Sequence, residues 1–291
     1  HVYCSIKEKI YFLKKKDILQ FKKKYSKLIN YKRNKKRSLR IASYNVHYFR
    51  NTSDDNTLNQ IVDFIDKQDL DVVCLQEIVI PRKFYEGIYL NSLDEVTSAF
   101  KRINFKYFIY DKESFLFVVS KVKPFSSKTI DLGNGRKAIN FNIFYNNEII
   151  NITNTHLHTD TSMYKVKNQI DENIRFDQIK FLIKNLENYK SKQIILGDLN
   201  SLKESDYTEK QLNYKRVYEY AHTPNENKVI NEIEKNGFID SNKFSKNNKN
   251  LYTSIYSRRV DYIFTKNINR IIYYNTSNFK FSDHSLILIE L

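Results

Sequence analysis

From Ser38 onward, short apolar runs alternate with helical patterns along the chain, and this alternation is the signature of a layered α/β domain. Leu39 to Tyr44 reads as a strand, and Leu58, Ile61, Val62 and Ile65 follow at the i, i+3, i+4, i+7 spacing of one helix face. Asp71 to Gln76 is apolar on both faces, which predicts a buried strand. Phe105 to Tyr110 and Ser114 to Ser120 read as two more. The segments around Phe141 and Ile150 are predicted to form a hairpin turning at Asn146-Asn147. A long helix carries Ile179, Leu182, Ile183 and Leu186, and Gln193 to Leu196 returns to strand. Asn200 to about Leu251 is polar and the least regular stretch. Val260 to Phe264, Ile271 to Tyr274 and Leu286 to Leu291 read as closing strands.

Charge divides the chain differently. The 291 residues carry a net +16, but residues 1–40 hold fifteen Lys or Arg against Glu8 and Asp17, a net of +13. The rest holds 49 − 15 = 34 basic and 33 − 2 = 31 acidic groups, a net of only +3. The basicity therefore belongs to an extension, residues 1–38, and not to the body, residues 39–291. Such an arm suits a polyanion, an anionic membrane surface, or a nuclear or organellar address. Two cysteines, with Cys74 inside an apolar run, do not form a disulfide framework and favour an intracellular, reducing compartment.

Polar residues cluster where the apolar strands end, and side chains at strand ends are held rigidly above a sheet. The junctions are Ser43-Tyr44-Asn45, Leu75-Gln76-Glu77, Asn154-Thr155-His156-Leu157, Gly197-Asp198-Leu199-Asn200, Val260-Asp261-Tyr262-Ile263 and Ser282-Asp283-His284. Each alone has a structural reading as a turn or a helix cap. Asp261 stands out, because a carboxylate inside an apolar strand is costly without a partner. Together they offer oxygen donors from Asn45, Glu77, Asp198, Asn200 and Asp283, imidazoles from His156 and His284, and no thiol. Hard oxygen donors suit Mg²⁺ or Mn²⁺ better than Zn²⁺. A Lewis acid, a base for water and donors for developing charge are the parts that phosphate-ester hydrolysis requires.

These six junctions, in this order over about 240 residues, resemble the endonuclease/exonuclease/phosphatase superfamily, the deoxyribonuclease-I-like proteins, from about Ser38 to Leu291. The resemblance implies a four-layer α/β sandwich in one domain, two packed and mostly antiparallel β-sheets flanked by helices. It implies a monomeric, metal-dependent phosphodiesterase or phosphatase using one Mg²⁺ or Mn²⁺ ion. By motif, Glu77 would bind the metal, assisted by Asn45 and Asp283. His284 would act as base or transition-state stabiliser with Asp261 behind it. Asp198 and Asn200 would align water and phosphate, and His156 would donate to a phosphoryl oxygen. Arg175, in Arg175-Phe176-Asp177-Gln178, is similar to a substrate-facing Arg at a helix start, with a structural role for Arg175 and Gln178 as the alternative.

Within the family, apurinic-type endonucleases usually have Tyr where His156 stands, so the site is closer to the deoxyribonuclease and sphingomyelinase type. Ile195-Leu196-Gly197-Asp198-Leu199-Asn200 and Arg258-Arg259-Val260-Asp261 depart from the inositol-polyphosphate phosphatase signatures. The leading expectation is a nuclease-type phosphodiesterase acting on DNA or RNA. A sphingomyelinase-like phospholipid hydrolase or soluble phosphate-ester hydrolase is the second, and a non-catalytic binding module of the same fold the third.

Overall fold

The computed structural model describes residues 38–78, 90–159, 165–186, 191–218, 228–245 and 251–291. The basic extension expected over residues 1–38 lies outside these, apart from Ser38. In chain order the elements begin with β1 (Arg40–Asn45), α1 (Leu58–Lys67), β2 (Val72–Gln76), α2 (Leu93–Arg102), β3 (Tyr107–Asp111) and β4 (Leu116–Ser120). Next come β5 (Pro124–Gly133), β6 (Arg136–Tyr145), β7 (Glu148–His156), α3 (Lys165–Leu186) and β8 (Lys192–Asp198). The chain closes with α4 (Glu209–Tyr218), α5 (Lys228–Lys235), β9 (Ile239–Asp240), β10 (Asp261–Lys266), β11 (Ile272–Asn275) and β12 (Ile287–Glu290).

The strands form two six-stranded sheets, ordered β11-β12-β1-β2-β4-β3 and β5-β6-β7-β8-β10-β9. Each contains one parallel pair, β1 with β2 and β7 with β8, and is otherwise antiparallel. Period-two alternation divides the apolar side chains among three layers of core. Ile41, Val72, Cys74 and Val118 of the first sheet meet Phe141, Ile152, Leu196 and Ile263 of the second between the sheets. On the outer face of the first sheet, Ala42, Val73 and Phe117 pack against Ile61 and Ile65 of α1 and Val96 and Phe100 of α2. On the outer face of the second, Ile195, Tyr262 and Phe264 pack against Ile179 and Leu182 of α3 and Val229, Ile230 and Ile233 of α5. Helix, sheet, sheet and helix give the four layers of a deoxyribonuclease-I-like sandwich.

Local chemistry fixes the boundaries. The β6–β7 hairpin turns at Asn146 (φ 47°) and Asn147 (φ 66°), both in the left-handed region that Asn tolerates and that a tight two-residue hairpin requires. Helix α2, which periodicity did not reveal, begins with a capping box. The Ser92 hydroxyl accepts from the Glu95 N–H at 3.2 Å, and the Glu95 carboxylate accepts from the Ser92 N–H at 2.7 Å. The stretch from Asn200 holds more regular structure than its polarity suggests: α5 spans only eight residues yet buries Val229, Ile230 and Ile233. Strand β5 is an edge strand with one face in water, so its Ser-Ser-Lys-Thr segment carries little apolar signal.

Gly197 is the tightest backbone point near the sheet centre. Its φ is +141°, and a Cβ there would stand 1.8 Å from the carbonyl oxygen of Thr155 on β7. Only glycine lets β8 lie this close to β7 immediately before Asp198.

Candidate active site

The register of the second sheet sets three functional side chains in one row. His156 at the end of β7 pairs with Asp198 at the end of β8, and Asp198 pairs with Asp261 at the start of β10. From the first sheet, the parallel register of β1 and β2 pairs Asn45 with Gln76, so Glu77 emerges beside Asn45. A buried polar link joins the two sheets beneath the site. Gln76 Nε2 donates to Asn154 Oδ1 at 2.7 Å, and Asn154 Nδ2 donates to the carbonyls of Leu75 and Phe117. These bonds hold the strand ends in register, although Gln76 Oε1 is left buried without a partner.

Asn45 is the bridge at the centre. Its Nδ2 donates to Glu77 Oε1 at 3.0 Å and to Asp198 Oδ2 at 3.1 Å, while its Oδ1 accepts the His47 N–H at 3.1 Å. The amide therefore turns its nitrogen toward the carboxylates, and its carbonyl oxygen is used by the backbone. Glu77 adopts φ +60° and His47, Tyr48 and Phe49 are also left-handed, a run of strain that gathers at this junction. Among the bonds that hold it are the His47 N–H to Asn45, the Tyr48 N–H to the Glu77 carbonyl at 3.2 Å and the Phe49 N–H to the Val46 carbonyl at 2.8 Å.

His284 Nδ1 lies 2.8 Å from Asp261 Oδ2, and His284 Nε2 lies 3.8 Å from Asp198 Oδ2. Burial alone would lower the His284 imidazole, but the Asp261 carboxylate overrides it, with Asp198 and Asp283 adding, and holds the ring well above its ordinary range. His156 goes the other way. Burial pushes it down to about 3, Asp198 opposing that shift and the Arg136 and His284 charges adding to it. His156 Nε2 stands 3.6 Å from Asp198 Oδ2 and 4.0 Å from Glu77 Oε1. Burial also raises the Glu77 carboxyl, and the neighbouring Asp283 and Asp198 carboxylates add to that, against the hydrogen bond from Asn45.

Asn200 (φ 48°) donates its N–H to Asp198 Oδ1 at 2.9 Å and its Nδ2 to the Leu157 carbonyl at 3.2 Å. Asp283 is held through Ser282, whose hydroxyl donates to the Asn45 carbonyl at 2.8 Å, and lies 4.0 Å from His47 Nδ1. Thr253 Oγ1 accepts the N–H groups of Val260 and Asp261, which steadies the start of β10.

Eight of the nine residues singled out in the sequence thus stand in one cluster, and Arg175 does not. The Arg175 guanidinium is buried, donating to Glu172 Oε2 at 3.0 Å and to the His158 carbonyl at 3.2 Å. Gln178 accepts the His158 N–H and donates to the Gly133 carbonyl. Both residues stand midway along α3, not at its start, and anchor His158 just after β7, with Gln178 also reaching the β5–β6 turn at Gly133. Arg136 and His47 are the residues that sequence reasoning missed. Arg136 Nη1 lies 3.2 Å from His156 Nδ1. The Gly133-Asn134-Gly135 turn just before it was the available signal.

The donor chemistry fits a hard divalent cation. The carboxyl groups of Glu77, Asp198 and Asp283 lie near one another, and His156 Nε2 and Asp261 Oδ1 are buried without a hydrogen-bond partner. Asp198, Asp261 and His284 also bring ligand atoms within 4.8 Å of one another. In that trio, Asp261 and His284 already satisfy each other at 2.8 Å.

Comparison with known proteins defines the class. The endonuclease/exonuclease/phosphatase family model matches residues 42–284, and the chain belongs to that family, whose members are phosphoesterase hydrolases. Among curated proteins no sequence matches it significantly. Solved structures give the same fold. An endonuclease/exonuclease/phosphatase protein from Beutenbergia cavernae superposes with a TM-score of 0.67 at 15% identity, covering 88% of this chain and 71% of that one. An AP endonuclease from Archaeoglobus fulgidus gives 0.61 at 19% identity over 86% and 98%. The 3′ phosphatase NExo from Neisseria, bound to a product DNA hairpin, gives 0.62 at 14% identity over 87% and 99%.

Proposed function

We propose that the protein is a Mg²⁺- or Mn²⁺-dependent phosphodiesterase of the nuclease type, acting on DNA or RNA. The observation that carries the reading is the His284–Asp261 pair aimed across Asp198, an acid-backed imidazole with a free Nε2 at the mouth of a carboxylate pocket. Nucleic acid is favoured as substrate because two of the structural relatives are named as an AP endonuclease and a DNA-bound 3′ phosphatase.

Glu77 would hold the cation, with Asp283 as the second carboxylate and Asn45 keeping Glu77 and Asp198 aligned. A cation held there would supply Lewis-acid polarisation of a non-bridging phosphoryl oxygen. His284 Nε2 takes the proton of the attacking water, and Asp261 fixes the ring and stabilises the imidazolium that forms. Asp198 Oδ2, 3.8 Å from His284 Nε2, orients the same water. His156 donates to a phosphoryl oxygen as negative charge develops there. Asn200, pinned to Asp198 and to the end of β7, keeps both at fixed spacing. The water–phosphorus bond forms as the bond to the leaving oxygen breaks.

A panel of supercoiled plasmid, single-stranded RNA, sphingomyelin and a soluble inositol phosphate, each with Mg²⁺ and with His284→Ala as control, tests this. Nicking or cleavage of nucleic acid that disappears in the variant is expected. Release of phosphocholine or phosphate with nucleic acid untouched would replace the nuclease reading with a phospholipid or phosphate-ester hydrolase.

A further inference from the structure

Arg136 opens β6 directly after three left-handed residues, Gly133 (φ 78°), Asn134 (φ 53°) and Gly135 (φ 71°). The Gly133 N–H is tied to Asp131 Oδ1 and its carbonyl to Gln178 Nε2, so the turn delivers Arg136 from a fixed mount. Its Nη1 stands 3.2 Å from His156 Nδ1. A guanidinium has donors and no acceptor, so the imidazole nitrogen facing it must be the one without a hydrogen. The single ring proton of His156 is then on Nε2. That atom is buried, lacks a hydrogen-bond partner, and lies 3.6 Å from Asp198 Oδ2 and 4.0 Å from Glu77 Oε1. Both separations exceed hydrogen-bond range. The N–H is therefore directed into the pocket and held for another oxygen.

His284 is arranged in the opposite sense. Its Nδ1 faces a carboxylate, an acceptor without a proton to give, so that nitrogen carries the hydrogen and Nε2 is left for proton exchange. The two Nε2 atoms approach the same oxygen, Asp198 Oδ2, at 3.6 and 3.8 Å. Partners of opposite charge thus give the two rings opposite tautomers at one point of the site.

We propose that Arg136 is a positioning residue that locks His156 in the Nε2–H tautomer. His156 then serves as a neutral hydrogen-bond donor to the substrate's phosphoryl oxygen, neither as the base nor as a cation ligand. A carboxylate in the place of Arg136 would move the proton to Nδ1 and aim the Nε2 lone pair at Asp198 and Glu77. The role of the donor rests on the phosphodiesterase reading above, whereas the tautomer rests on geometry alone.

The test is a long-range ¹H–¹⁵N correlation spectrum of the full chain with ¹⁵N-labelled histidine, without metal and with Mg²⁺, His156 being assigned by its loss in His156→Gln. The expected wild-type spectrum shows a bare Nδ1 and a protonated Nε2. Arg136→Met should populate the Nδ1–H form and lower kcat about 10- to 100-fold with a smaller change in KM, as loss of an orienting partner does. Arg136→Lys keeps a donor and should keep the Nε2–H form. A protonated Nδ1 in the wild type overturns the inference, whatever the variants do. So does an unchanged Nε2–H signal in an Arg136→Met protein that melts like the wild type. If the tautomer is as stated but no phosphodiester is turned over, the fault lies with the functional reading instead.

Discussion

The Nδ1 of His284 lies 2.8 Å from Oδ2 of Asp261, a bond that joins the segment before β12 in one sheet to the first residue of β10 in the other. Both groups are buried, so neither has water as a substitute partner. Asp261→Asn should leave His284 in place but weaken its orientation, and His284→Ala should remove the base outright. The expected order is a near-complete loss of kcat for His284→Ala and a smaller loss for Asp261→Asn, each measured on protein whose fold circular dichroism verifies. Equal activity of His284→Ala and wild type would end the assignment of His284 as base.

The same pair sets the pH dependence. Asp261 stabilises the imidazolium and holds its pKa above the ordinary range, so the basic form of His284 accumulates only at higher pH. The rate should therefore rise with pH along an acidic limb. Removing the Asp261 charge lowers the pKa, which should move that limb to lower pH in Asp261→Asn. A limb that falls with rising pH would show that the protonated ring acts, as a stabiliser of the transition state.

Asp198→Ala removes the one carboxylate that meets Asn45, His156, Asn200 and His284 together. Turnover should be lost while the fold, anchored by three apolar layers, persists. Circular dichroism and a steady-state assay on the same sample check both halves.

Gly197→Ala should act through structure instead. A Cβ 1.8 Å from the Thr155 carbonyl oxygen forces β7 and β8 apart, and a φ of +141° is strained for any L side chain. Overpacking and backbone strain together predict a loss of roughly 3 kcal/mol or more, read from denaturant unfolding. Activity should fall with it, because His156 and Asp198 end those two strands.

A buried ion pair supports the strand that carries Asp261. Arg259 is 1% exposed and bonds Asp240 through both terminal nitrogens at 2.7 and 2.6 Å, with Asp206 at 3.0 Å. Burial would raise the Asp240 carboxyl, but the Arg259 charge overrides it and holds it below the usual carboxylate range. A depressed acid contributes stability that is present above its unfolded pKa, about 4, and is lost as pH falls through the folded value. Asp206, raised by burial, contributes with the opposite sign and partly offsets this. Asp240→Asn should cost about 3–5 kcal/mol at neutral pH, as breaking a buried pair does, and should flatten the acid limb of stability against pH. Denaturant midpoints measured from pH 7 downward give both quantities.

Much of the fold was legible because strand and helix periods differ and the strands are long apolar runs. Asp261 announced itself as a charge inside Val-Asp-Tyr-Ile-Phe, and the site residues stood at strand ends in a recognisable order. What escaped was set by tertiary placement. Arg136 reaches His156 from a glycine turn some twenty residues away, and that turn marks a bend without saying what the residue after it meets. His47 enters through a left-handed turn that depends on contacts with Asn45. Arg175 looked like a substrate contact, yet its helix buries it under the loop it braces. The orientation of the Asn45 amide was also invisible in the sequence, because the His47 N–H and the two carboxylates fix it.

The most direct test of the central claim needs no knowledge of the natural substrate. Hydrolysis of bis(p-nitrophenyl) phosphate is measured for the full chain and for His284→Ala, with Mg²⁺ and with EDTA. Mg²⁺-dependent release of nitrophenolate that vanishes in the variant and in EDTA is the predicted result. Hydrolysis that persists equally in His284→Ala, or that EDTA leaves untouched, would contradict a cation-assisted mechanism built on the His284–Asp261 pair.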